Sequence, residues 1–158
     1  MDINILNKIA VEMVAGSKGI LAIDESHGTC KKRFDALNID VTEENRRSYR
    51  DMLVSANSLS DYISGAILFD ETIRQKTSDG STFPDYLDKV GIIPGIKVDA
   101  GAKPFSSHPN EKITEGLDNL TERMKEYSSL GAKFAKWRAV ITIGENIPSS
   151  ACLSLIHI

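Results

Sequence analysis

Two cations, Lys136 and Arg138, stand two residues apart in the stretch GAKFAKWRAVITI, residues 131–143. Read as a strand, this stretch puts Phe134, Lys136, Arg138, Val140 and Thr142 on one face. Lys133, Ala135, Trp137, Ala139 and Ile141 fall on the other, and Trp137 suits a covering layer of helices. The first face then carries neighbouring cations in a segment otherwise apolar enough to be buried. Buried cations are costly unless an anion meets them. A phosphate or carboxylate ligand meets that need; so does an Asp or Glu across a sheet, and this stretch alone favours neither.

The elements that must position these residues come from hydrophobic spacing. Ile3, Leu6, Ile9, Ala10, Met13 and Val14 predict a helix over residues 2–15, stopped by Gly16. GILAID, residues 19–24, reads as a strand, followed by a polar turn and a short helix over residues 30–37. Asp40, with Glu43 three residues on, is expected to cap a helix over residues 42–57 with a charged face. ISGAILF, residues 63–69, is the second strand; residues 76–84 are a loop turning at Asp79-Gly80, and a short helix near Phe83, Tyr86 and Leu87 follows. IIPGIKV, residues 92–98, is the third strand, and residues 99–110 read as loop. Leu117, Leu120, Met124, Tyr127 and Leu130 space a long helix ended by Gly131, and residues 144–149 read as loop.

The pattern is strand, helical material, strand, four times over. It argues an α/β fold with a parallel sheet, because each interval leaves room for a crossover helix. Such sheets bind ligands at the carboxyl ends of their strands. Those ends carry Asp24, then Asp70 and Glu71, then Lys97 and Asp99, then Lys136 and Arg138. Surface charge at strand ends is common, but its repetition over the first, third and fourth strands favours a polar active site.

The 158 residues suffice for one domain or part of a larger one; 41% are hydrophobic and 26% charged, ordinary for a globular protein. A net charge of -3 gives no reason to expect nucleic acid or an anionic membrane as partner. Cys30 and Cys152 lie outside any CxxC and without a histidine at ligand spacing, which fits a reducing compartment and points to no metal. MDINILNKIAVEMV holds no compact apolar run, and the last apolar cluster is too short to span a bilayer. A cytoplasmic protein is expected.

GILAIDES, TEENRRSYRDML, ISGAILFDET, PGIKVD, GLDNLTERMKEYSSLGAKFAKWRAV and the closing Pro148-Ser149 together resemble the class I fructose-bisphosphate aldolases, in order and without an obvious gap. Any one motif is weak; six in register are specific. The resemblance implies a (β/α)8 barrel, of which this chain supplies roughly the first four strands. It also implies reversible cleavage of fructose 1,6-bisphosphate through a lysine Schiff base, with no metal or other cofactor, and a homo-oligomer acting on a sugar phosphate.

Residue by residue, the resemblance makes Asp24 the aspartate that orients and polarises the reacting hydroxyl. It makes Lys97 part of the active-site hydrogen-bonding network, and Lys136 with Arg138 the pair that binds substrate and supports proton transfer. A lysine crowded by another cation has a lowered pKa and can trade protons near neutral pH. Ser26, Thr29, Lys32 and Arg33 follow the first strand into a helix start, where hydroxyls, freed N–H groups and cations suit a phosphate. The plainer alternative is that Thr29 caps and Lys32 and Arg33 are solvated. Arg46 matches a family position tied to substrate, although spacing alone makes it an ordinary helix residue.

Departures are visible. His27 replaces a small polar residue, Ala100 replaces a lysine, and the loop SSHPNE, residues 106–111, differs from the family's glycine-rich version. Residues 1–149 are expected to form the N-terminal half of the barrel, and residues 150–158 a tail unrelated to the family. The family's glutamate proton donor, Schiff-base lysine and later phosphate-binding serine and arginine have no counterpart here. The resulting expectation is an aldolase fragment inactive alone. The alternative is a non-catalytic chain with weak phosphate binding, or one that associates with intact aldolase subunits.

Overall fold

The computed structural model describes residues 2–155. Their helices and strands run α1 (Ile3–Val14), β1 (Gly19–Ala22), α2 (His27–Asp35), α3 (Glu43–Val54), α4 (Leu59–Tyr62), β2 (Ile63–Leu68), α5 (Asp70–Ile73), α6 (Phe83–Lys89), β3 (Ile93–Lys97), β4 (Gly101–Pro104), β5 (Lys112–Glu115), α7 (Leu120–Ser129), β6 (Phe134–Lys136) and α8 (Ser150–Ser154). Among the described residues, no helix is long and apolar enough to cross a membrane. The chain divides into two compact units: Met1–Lys97 with Lys125–Ala135, and Val98–Met124 with Lys136–Ile158.

The first unit is built on a sheet ordered β1-β2-β3-β6. β1 pairs parallel with β2, and β2 parallel with β3. Ala22 pairs with Ile67 and Ile67 with Gly95, so these three share a face. The opposite face is the core: Ile23, Ala66, Leu68 and Ile96 are buried there under the helices, with Val54, Ile73, Phe83 and Leu87 beneath them. α5 and α6 pack on β3, while α1 and α4 pack on β2. The Ala22 face is open, with Ile20 42% exposed and Ile63, Ile67 and Ile93 half-buried. On this face the Phe134 ring packs against two glycines, Gly65 and Gly95. A Cβ on Gly65 would sit 3.2 Å from it and a Cβ on Gly95 only 2.3 Å, so the ring's position needs glycine at Gly95.

Local chemistry explains several ends. Asp2 caps α1 by accepting from the Asn4 N–H at 2.9 Å. Thr42, and not the expected Asp40, caps α3, accepting from the Asn45 N–H at 3.1 Å. Asn45 in turn donates to the Asp40 carbonyl, so Asp40 serves through its backbone. α1 buries no residue fully: Ile3, Leu6 and Val14 are exposed although their spacing is helical.

The second unit corrects two expectations. Residues 99–110 were expected as loop, but β4 and β5 form an antiparallel hairpin with Gly101 opposite Glu115 and Pro104 opposite Lys112. The strand expected over residues 131–143 is confined to β6, and residues 137–143 are irregular, with Ile143 87% exposed. The cause is local. The Arg138 N–H donates to Asp99 Oδ2 at 3.2 Å and its carbonyl accepts from Thr114 Oγ1 at 2.7 Å, so both backbone groups a ladder needs are taken by side chains. Trp137 lines a small cavity with Ile113, Val140, Cys152 and Leu155. Ser149 caps α8 by accepting from the Cys152 N–H at 3.1 Å, and Cys152 is buried.

Candidate active site

Asp24 lies two residues past Ala22, half-buried, and strand alternation gives it the open face, opposite buried Ile23. Lys97 closes β3 two residues past Gly95 and takes the same face. The register thus puts on one face, at the carboxyl ends of β1 and β3 with β2 between them, two residues whose common face the sequence leaves undecided.

The turn after Asp24 carries the expected phosphate residues. Ser26 stands at the N-cap position of α2 without capping it through its side chain, and its Oγ lies 3.3 Å from Thr29 Oγ1; both residues are exposed. Arg33 is turned elsewhere. Its Nη1 donates to Glu25 Oε1 and, at 2.8 Å, to the Tyr49 hydroxyl. The Glu25 carboxylate beside it raises the Arg33 pKa. Arg46 is bound more tightly. Nε and Nη2 donate to the two oxygens of Glu71 at 2.8 and 2.5 Å, and Nη1 to the Val41 carbonyl at 3.1 Å. The Arg46 hydrogen bonds hold the Glu71 carboxyl below its ordinary value. His27 Nε2 also approaches Glu71 Oε1, at 3.4 Å. So Ser26 and Thr29 are open to a ligand, while Arg33 and Arg46 are each matched by a carboxylate.

Sequence reasoning missed Arg50. The face of α3 read as charged holds Arg50 at 0% exposure and buried Asp51. Arg50 Nε donates to the Ile23 carbonyl at 3.2 Å, Nη2 to the Glu25 carbonyl at 2.6 Å, and Nη1 to Glu71 Oε2 at 3.3 Å. Its guanidinium carbon lies 5.6 Å from the centre of the Phe69 ring. The available signal was the spacing of Arg46 and Arg50, one turn apart on one helix. Asp70, at the start of α5, accepts at Oδ1 from the Tyr127 hydroxyl of α7 at 2.9 Å and from Nη2 of Arg74, at the end of its own helix, at 3.0 Å.

In the second unit, Lys136 ends β6 half-buried, and its carbonyl accepts from the Val98 N–H at 3.1 Å. Arg138 is exposed while its backbone is fixed on both sides, so its guanidinium projects from a rigid point. Asp99, buried, accepts from Gly101 N–H at 3.1 Å as well as from Arg138 N–H. This places Asp99 as the brace beneath Arg138's backbone.

The family model for class I fructose-bisphosphate aldolase matches residues 5–156. A probable fructose-bisphosphate aldolase class 1 of Xanthomonas campestris is 61% identical over 153 residues, covering 97% of this chain and 46% of the relative. Fructose-bisphosphate aldolase 1 of Toxoplasma gondii is 54% identical over 134 residues, covering 85% and 37%. The solved structure of the Plasmodium falciparum aldolase, in complex with TRAP and a small-molecule inhibitor, matches with a TM-score of 0.91 and 46% identity, over 96% of this chain and 44% of that one. The chain thus spans less than half the length of these relatives, and its sheet corresponds to roughly the first four strands of a (β/α)8 barrel. The match over nearly the whole chain places it in the family of class I fructose-bisphosphate aldolases.

Proposed function

We propose that residues 1–149 are the N-terminal half of an enzyme that reversibly cleaves fructose 1,6-bisphosphate into dihydroxyacetone phosphate and glyceraldehyde 3-phosphate, in the cytoplasm, through a lysine Schiff base. Asp24 orients and polarises the reacting hydroxyl. Lys97 belongs to the active-site hydrogen-bonding network, Lys136 binds substrate and moves a proton, and Arg138 holds the anionic substrate. Ser26 and Thr29 offer hydroxyls to a phosphate. Arg33 and Arg46 add charge only on release from Glu25 and Glu71. The observation that supports this reading most is the common open face of Asp24 and Lys97 at the carboxyl ends of parallel strands, where ligands of such sheets bind.

The test uses residues 1–149 fused to the part of the Xanthomonas campestris relative that lies beyond its match. The fused protein is expected to cleave fructose 1,6-bisphosphate. Lys136→Ala in it should slow turnover about 10²–10⁴-fold, the usual worth of a positioned proton-transfer group. Turnover equal to the parent's would remove Lys136 from the chemistry.

A further inference from the structure

Arg50 is the largest fully buried side chain among the described residues. A guanidinium survives out of water only where its donors are taken. Two of the takers are backbone carbonyls, those of Ile23 and Glu25, at 3.2 and 2.6 Å. These are the residues on either side of Asp24. The third is Glu71 Oε2 at 3.3 Å, and Glu71 is itself gripped by Arg46 through Nε and Nη2. The chain of contacts therefore runs from Arg46 through Glu71 and Arg50 to the carbonyl just before Asp24 and the carbonyl of the residue just after it.

We propose that Arg50 is a positioning residue for Asp24: it pins the backbone on both sides of Asp24 at the end of β1 and so fixes the direction of the carboxylate. The proposal rests on the assignment of Asp24 to the chemistry. Arginine is required because its planar fork serves three acceptors in different directions, whereas a lysine offers one nitrogen. Arg50 meets these carbonyls out of water, fully buried with Cys30 Sγ 3.8 Å from Nη2. Glu71 sets the aim of the guanidinium, and Arg46 sets Glu71.

The experiment is a kinetic cycle in the fused protein with Arg50→Lys, Asp24→Asn and both together. A displacement of about 1 Å at a reacting group costs on the order of 10²-fold in rate. Arg50→Lys is therefore expected to lower kcat about 10–100-fold with KM held within about 3-fold. In the Asp24→Asn background the same change should cost nothing further, because the group it positions is gone. Val54→Ala, at a buried site on the same helix away from these carbonyls, controls for lost stability and is expected to keep its kcat. Unchanged kcat in Arg50→Lys, a loss that persists in full on Asp24→Asn, or an equal loss in Val54→Ala would each overturn the proposal. Parental turnover in Asp24→Asn would instead strike out the assignment of Asp24, and Arg50's role with it. Should Arg50→Lys not fold, Glu71→Gln releases the same guanidinium. Its kcat loss must vanish on Asp24→Asn, and an additive loss overturns the proposal equally.

Discussion

Replacing Gly95 with alanine tests the packing that seats β6. An ideal Cβ there lies 2.3 Å from Phe134 Cζ and 2.5 Å from both Cε1 and Cε2. Carbon atoms prefer about 3.5–4.0 Å, so the ring must retreat by roughly 1.2 Å. The strand cannot lift freely to make room, because the Lys133 N–H donates to the Pro94 carbonyl at 2.8 Å. Overpacking of this kind costs about 1–3 kcal/mol. Gly95→Ala is expected to lose that much in urea unfolding of the fused protein, and Phe134→Leu added to it should recover part of the loss. Gly28→Ala is the contrasting change: nothing lies within 4 Å of its Cβ, and alanine in a helix gains about 0.5–1 kcal/mol over glycine. Phe134 precedes Lys136 by two residues on one strand, so the retreat should also slow turnover. A Gly95→Ala protein as stable and as active as its parent would refute the account of how β6 is seated.

Arg138→Ala in the fused protein should mainly raise KM, and an unchanged KM removes its role in holding substrate. Glu71 titrates below its ordinary 4.5 because Arg46 favours its ionised form, so its stabilisation is complete above pH 4.5 and is lost as pH falls through the lower folded value. The gap in urea midpoint between parent and Glu71→Gln should therefore close in acid; a gap independent of pH would show that the ion pair contributes nothing. Purified residues 1–158, incubated with dihydroxyacetone phosphate and borohydride, should gain no covalent mass, because nothing beyond them fixes the substrate for attack, and a stoichiometric adduct on Lys97 or Lys136 would contradict this. The same polypeptide should associate through its open sheet face, and a sharp unfolding transition from a monodisperse monomer would count against that.

The three central strands were legible because ISGAILF and its counterparts are apolar runs bounded by glycine or acid, and β1, β2 and β3 depart from the expected spans by only one or two residues. The β4–β5 hairpin was not. Its strands are four residues each and mostly exposed, so no burial periodicity marks them. The length of β6 was overread because Arg138's backbone partners, Asp99 and Thr114, lie far away in sequence. Arg50 was invisible for a related reason: a charged residue reads as surface, and its burial depends on carbonyls more than twenty residues distant. The Phe134 seat needs glycine at Gly95, with Gly65 two residues out of register on the adjacent strand, which is a property of pairing rather than of either strand. Positions of Asp24 and Lys97 at strand ends could be read directly, their shared face only from the pairing of Ala22, Ile67 and Gly95.

The order β1-β2-β3-β6 has a consequence for synthesis. Each strand joins the neighbour made just before it in that sheet, so no early strand waits for a later one to slip between. On a ribosome the sheet can grow outward from its first strand as the chain emerges, with the β4–β5 hairpin closing on itself while α7 is being made. The growing edge is always the newest strand, and it is covered by the next to arrive. A pause in translation inside such a sequence leaves one continuous sheet, open at β1 and at its newest strand, rather than separated strands waiting for a partner between them.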